Sequence, residues 1–288
     1  MLKSYAIGLL LGLGLLSVAC AFSPLLPTPT PRPTATPPPP TPVPTHTLWP
    51  TATPLPPDTG WETVQPGVEV RSLNVPADEA VERVTIARLD PAHVRFHVLY
   101  TPGVAYPVSV WARQTGALLV VNGSYFTDEH MVTGLTVSDG VARGSTYDDY
   151  AGMFAVTDDD RVTVRWLRAW PYDPTEPLRE AVQSFPVVVK PGGVMGFPAD
   201  GDDGRPSRRM VVAQDRQGRI LLLIAPRGYL SLHALAAWLT GADLEIDVAL
   251  NLDGGTSSGF WMRVGGPVPV PQIDSLVPVP AVIAVFPR

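Results

Sequence analysis

The chain has 288 residues, including 34 prolines, 25 glycines and one cysteine, and a formal net charge of −6. A single cysteine excludes an internal disulfide framework. An acidic balance without a clustered Lys/Arg face argues against nucleic acid as a partner.

Residues 1–21 read as a secretory signal: a lone Lys3, an apolar run from Tyr5 to Ala19, then small residues. The run is about 15 residues, short of the roughly 20 that a membrane span needs. Its end supports two readings. Leu16-Ser-Val-Ala-Cys20 resembles a lipobox, displaced by Ser17, which makes Cys20 a lipidation candidate. Ala19-Cys-Ala21 is also an ordinary cleavage site. Lipidation is favoured because Cys20 is the only cysteine and a tether-like segment follows it. Residues 22–59 form that segment, a Pro/Thr-rich linker in which fixed φ angles and missing donors favour polyproline II over packing. At about 3.1 Å per residue it reaches on the order of 100 Å. Both readings place the remaining domain outside the cytoplasm, and lipidation adds the membrane as a partner.

Residues 60–288, roughly 230 in number, suit a single domain. The pattern predicts an α+β, β-rich fold with a mixed twisted sheet and few helices. Alternation over 94–100 gives a strand, and the unbroken apolar runs 117–121 and 185–189 give strands buried on both sides. Residues 153–156 and 161–166 flank Asp158-Asp-Asp160 as a hairpin, and 210–213 and 219–225 flank Asp215-Arg-Gln-Gly218 as another. Ser231 is a predicted N-cap for a helix carrying Leu232, Leu235, Ala236 and Leu239. Strands follow at 246–252 and 281–286. The runs 117–121 and 248–252 match in form, for each ends in a polar, glycine-containing loop, where sites tend to sit.

The second of these loops, Asn251-Leu-Asp-Gly-Gly-Thr-Ser-Ser258, concentrates the candidate chemistry. Gly255-Thr-Ser-Ser-Gly259 satisfies the G-x-S-x-G elbow of serine hydrolases. However, all five histidines precede Ser257, and the α/β-hydrolase order places the histidine after the serine. Metal sites are poorly supported: His93 and His97 lack a third ligand, and Asp200-Gly-Asp-Asp-Gly204 lacks the distal glutamate of an EF-hand loop. No cofactor is expected, and the question of a divalent ion stays open. Asp253 closes a buried strand, where a carboxylate needs a partner. The Gly254 and Gly255 amides can line an anion-binding concavity. Equally, the loop can be a tight turn in which Asp253 bonds its own backbone.

Taken together, Asn122-Gly-Ser-Tyr-Phe126, Ser184-Phe-Pro-Val-Val-Val189, the stretch 208–225, the helix near 231–240 and the loop 249–258 resemble the phosphodiester glycosidase family, the family of the mannose 6-phosphate uncovering enzyme. The resemblance covers about residues 68–287 and implies hydrolysis of a sugar-1-phosphodiester, with carbohydrate or sugar phosphate as the partner. It places Asn122, Gly123, Tyr125 and Phe126 in a first motif, Arg209 with its neighbour Arg208 in a second, and Asn251, Asp253, Gly254, Gly255, Ser257 and Ser258 in a third. It implies Asp253 and Arg209 as catalytic and the others as substrate-binding. Ser124, Met210 and Thr256 depart from the family pattern, and 275–280 lacks a Glu-Arg pair that many relatives carry. That gap motivates the alternative of a surface-tethered module that binds sugar-phosphate polymers without cutting them.

Overall fold

The computed structural model describes residues 56–146, 151–263 and 270–288. The signal peptide expected over 1–21, Cys20 and nearly all of the linker lie outside the described residues. The described residues fall within one compact unit. Packing begins before Gly60: the Asn74 amide donates to the Pro57 carbonyl at 2.7 Å, and Asp58 accepts from Arg71 Nε and Nη2 at 2.9 and 2.6 Å.

The chain opens with β1 (Glu62–Gln65), β2 (Val68–Ala77), β3 (Ala80–Leu89) and β4 (Val94–Tyr100), then α1 (Val108–Thr115) and β5 (Leu119–Asn122). Next come β6 (Thr136–Ser138), β7 (Val141–Arg143), β8 (Gly152–Thr157), β9 (Val162–Trp166), β10 (Leu178–Ser184), β11 (Val187–Lys190) and β12 (Val194–Met195). It closes with β13 (Ser207–Asp215), β14 (Ile220–Leu230), α2 (Leu232–Gly241), β15 (Ile246–Asn251), β16 (Phe260–Met262) and β17 (Ala281–Pro287).

The strands form three sheets, ordered β1-β2-β3-β14-β13-β15-β11-β12, β7-β6-β10-β8-β9 and β16-β5-β17-β4. The β-rich α+β class expected from the sequence is what the chain adopts. The expected mixed sheet is replaced by three sheets in which every pair of these strands is antiparallel. The reason lies in the crossovers. The helix α2 connects β14 to β15, but β13 is inserted between them; α1 connects β4 to β5, but β17 is inserted between them. Each helical connection therefore skips a strand and creates no parallel pair.

One core is shared by all three sheets, with Val70 and Leu222, Phe96 and Val121, and Phe154 and Val164 in a single cluster. Alternate residues of the same strands face outward into separate clusters. Val211, Leu221 and Leu223 pack under Leu235, Ala236 and Leu239 of α2, while Val120, Val282 and Ala284 pack under Val108, Trp111 and Ala112 of α1. Strands buried on both faces carry apolar residues at every position, so their sequences read as unbroken runs. Ser231 caps α2, its Oγ accepting from the Ala234 amide at 3.1 Å. The β13–β14 turn uses Gly218 at φ +84° and the Asp215 carboxylate, which accepts from the amides of Gln217 and Arg219 at 2.9 Å each. The helix α1 has no side-chain cap of its own. Asp274 supplies one from across the chain, accepting from the Ser109 amide at 2.9 Å and its hydroxyl at 2.5 Å.

Candidate active site

The two strands that follow the helices, β5 and β15, both end in asparagine, and their loops meet. Asn122 Nδ2 donates to the Asp253 carbonyl at 2.7 Å, its Oδ1 accepts from the Gly259 amide at 3.0 Å, and the Asp253 amide donates to the Gly123 carbonyl at 3.2 Å. Two sheets thus contribute one strand end each to a common point. Asp253 is half-buried there. Burial pushes its carboxyl up from 3.8 to about 6, against the opposing effect of hydrogen bonds from the Ser257 hydroxyl and the Gly254 amide. A carboxyl in that range exchanges protons readily near neutral pH.

The start of β13 forms the neighbouring wall. A Cβ on Gly254 would stand 3.0 Å from the Arg208 carbonyl and 3.9 Å from Arg209 Nη1, so only glycine lets this backbone lie against β13 with the guanidinium facing it. Arg209 is oriented by the Leu230 and Arg205 carbonyls, which accept from Nε and Nη2 at 3.2 and 2.9 Å. Loss of hydration lowers its pKa, which Tyr125, Asp202 and Asp203 partly offset through space. Among the described residues no ion pair neutralises it. A half-buried guanidinium without an ion-pair partner is suited to an oxyanion ligand.

Tyr125 and Phe185 form the remaining side. The Tyr125 hydroxyl donates to the Phe185 carbonyl at 3.1 Å and accepts from Asn251 Nδ2 at 3.2 Å, and the two rings lie 5.2 Å apart. Phe185 is 37 % exposed and precedes a cis peptide bond to Pro186.

The structure therefore divides the expected site residues. Asp253, Gly254, Gly255, Arg209 and Tyr125 are partly accessible, Gly254 lies beside Arg209, and Ser257 lies behind Asp253 as its hydrogen-bond donor. Several expected substrate-binding residues are enclosed and bonded to the protein itself. Asn122 is buried, with its amide occupied by backbone groups, and Gly123 is packed against the Ala281 carbonyl, 3.1 Å from where its Cβ would stand. Asn251 is buried and donates to Tyr125, Phe185 and Leu252. Ser258 is fully enclosed. Arg208, the neighbour of Arg209 on β13, turns the other way, where Nη2 donates to the Ser258 and Asp274 carbonyls at 2.7 and 2.9 Å. Ser257 is followed by β16 rather than a helix, so no nucleophile elbow forms.

Buried polar atoms without a protein partner also gather here. Ser184 Oγ, Arg208 Nε, Asn251 Oδ1 and Ser258 Oγ are four of the seven such atoms among the described residues. Unsatisfied groups are costly, and their concentration at strand ends marks a place where local consistency yields to a site. Sequence reasoning missed Phe185 as a wall of the site, although Ser184-Phe-Pro186 was among the quoted motifs. It also missed Asp274 and Ser275, whose role as a distant cap leaves no local signature.

Comparisons with known proteins bear on the fold and the family. No curated protein matches the sequence. Among solved structures, a hypothetical protein from Synechocystis superposes with a TM-score of 0.60 at 15% identity, covering 81% of this chain. This chain spans 64% of that one. The catalytic domain of zebrafish N-acetylglucosamine-1-phosphodiester alpha-N-acetylglucosaminidase, auto-inhibited by pro-peptide, superposes with a TM-score of 0.57 at 17% identity, over 79% of this chain and 86% of that one. At these identities the likeness is one of fold. The family model for phosphodiester glycosidase matches residues 115–286, which span both convergent loops and β13, and the chain belongs to the phosphodiester glycosidase family.

Proposed function

We propose that the chain is an extracytoplasmic glycosidase that hydrolyses a sugar linked through C1 to a phosphodiester, such as a GlcNAc-1-phosphodiester in envelope or exopolysaccharide material. The observation that carries this reading is the Asp253 carboxyl, half-buried with a pKa of about 6 beside an amide-lined turn that Arg209 faces.

The chemistry follows from those groups. Arg209 Nη1 and the Gly255 amide hold the phosphate oxygens, while the Gly254 amide stays on the Asp253 carboxylate. Tyr125 and Phe185 flank the sugar ring. The C1–O bond to phosphate breaks through an oxocarbenium-like transition state, and water forms the new bond to C1. A phosphate departs without strong acid assistance, so Asp253 acts as the ionised group: it takes the proton of the attacking water and stabilises the developing positive charge. The products are the free sugar and a phosphomonoester, with the proton passing to solvent or phosphate. Ser257 holds Asp253 in place, and Asn122 holds the loop.

The same reading gives the amino-terminal segments a purpose. Residues 1–21 direct export, Cys20 carries the lipid, and the linker lets the domain reach surface polymers. The absence of a Glu-Arg pair in 275–280 favours the alternative, a non-catalytic binder of sugar-phosphate polymers. Incubating the full chain and its Asp253→Asn variant with a panel of glycosyl-1-phosphodiesters decides between them. Sugar release by the wild type and none by the variant supports the enzyme; retention of the diester without release by either supports the binder.

A further inference from the structure

A second recess lies at the far end of β8 and β10. The β8–β9 turn and the loop before β10 enclose a cavity of about 390 Å³. Its wall is the indole of Trp170, 43 % exposed. The Arg165 guanidinium stacks on that ring 4.1 Å from its centroid, and Arg161 approaches it at 6.0 Å. Arg165 is itself 2 % exposed, donating to Glu176 at 2.6 Å and to the Thr163 hydroxyl at 3.1 Å. The Trp170 amide is tied to the Trp166 carbonyl at 2.9 Å. Asp158, Asp159 and Glu176 complete the rim.

Burying a guanidinium is costly unless it is paired and hydrogen-bonded. Here the buried Arg165 holds a large aromatic face in one orientation towards water. An indole has an apolar face that suits the C–H face of a pyranose ring. The rim offers what ring hydroxyls need: Asp158 and Asp159 accept, and Arg161 donates. With Glu176 paired to Arg165, the remaining Asp158, Asp159 and Arg161 give the rim no excess of positive charge, which nucleic acid requires.

We propose that this recess is a glycan-holding site, distinct from the Asp253 site, in which a neutral pyranose ring stacks on Trp170. Its position gives it a use. Thr157 pairs with Leu178 at this end of the sheet, whereas Gly152 pairs with Ser184 at the other, beside Phe185. At about 3.4 Å per residue the two ends are roughly 17 Å apart. A polymer held at Trp170 raises the effective concentration of its neighbouring segments at Asp253.

Affinity electrophoresis of the full chain through native gels containing hydroxyethyl cellulose, xylan or glycol chitin tests the proposal. Retarded migration in at least one gel is expected. Trp170→Ala should weaken binding by about tenfold or more, the scale of one aromatic stacking contact. Asp158→Ala, on an exposed side chain, should weaken it less while leaving the thermal melt unchanged, which covers the case in which Trp170→Ala fails to fold. Asp253→Asn should be retarded like the wild type, so the result stands apart from the fate of the hydrolase reading. The proposal is overturned if no gel retards the wild type, or if folded Trp170→Ala is retarded equally. Trp170-dependent capture of oligo(dT) or of an aromatic peptide in place of polysaccharide would overturn it too.

Discussion

Asn122 is bonded to Asp253 through its side chain, whose amide donates to the Asp253 carbonyl, while the Asp253 amide donates to the carbonyl of the next residue, Gly123. Asn122 Oδ1 also accepts from Gly259, so one buried side chain fixes both ends of the loop that carries the carboxylate. Asn122→Ala leaves the Asp253 carbonyl and the Gly259 amide without that partner. It should cost about 2–4 kcal/mol of stability, two buried hydrogen bonds at 1–3 kcal/mol each with partial relaxation. Urea denaturation checks this; a loss within 0.5 kcal/mol would show that the loop is held by other means.

Asp253→Asn should abolish turnover and yet stabilise the fold at neutral pH. The folded pKa of about 6 lies above the ordinary 3.8, so the wild-type carboxyl contributes its full stability below about pH 4 and loses it as pH rises through 6. Above pH 6 the charged form carries a penalty of roughly 2–3 kcal/mol, at 1.36 kcal/mol per pKa unit. A neutral amide escapes that penalty. Thermal melts at pH 4 and pH 8 should show the variant gaining on the wild type only at the higher value.

If Asp253 acts as the ionised group, as proposed, kcat/KM rises with pH and levels off above an inflection near 6. A rate that falls through the same range would assign it instead as the proton donor.

Arg208 and Arg209 should separate cleanly. Arg209→Ala removes the proposed charge-assisted contact to phosphate, worth about 1.5–3 kcal/mol, and should raise KM roughly 10–100-fold with a stable fold. Arg208→Ala removes the bonds to the Ser258 and Asp274 carbonyls and should lower stability first. Equal KM effects from the two would mean that the strand alternation does not divide their roles.

Gly254→Ala tests the close approach. The new Cβ would stand 3.0 Å from the Arg208 carbonyl, so the loop must shift, and small misplacements of a catalytic group can cost about 10²-fold. Wild-type kcat in this variant would show that the contact does not set the position of Asp253.

Much of this architecture was legible in the sequence because strands buried on both faces are unbroken apolar runs and Ser231 caps its own helix. The β1–β3 meander was missed although Val68, Val70, Val75 and Ala77 are buried; Arg71, buried by its pairing with Asp58 and Asp243, breaks the alternation. The helix α1 was illegible for a different reason. Val108-Ser-Val110 favours a strand, and its cap, Asp274, is far away in sequence. At the site, residue types were readable but orientation was not. Asparagine serves a sugar and a backbone equally well, and only the meeting of the two loops shows that Asn122 and Asn251 face inward.

The direct test of the central claim is the position of cleavage. The full chain is incubated with an alkyl GlcNAc-1-phosphodiester in ¹⁸O-water, and the products are read by mass spectrometry. If Asp253 directs water to C1, the label enters the sugar, the phosphomonoester stays unlabelled, and Asp253→Asn yields neither product. Label in the phosphate, or equal turnover by the variant, would contradict it.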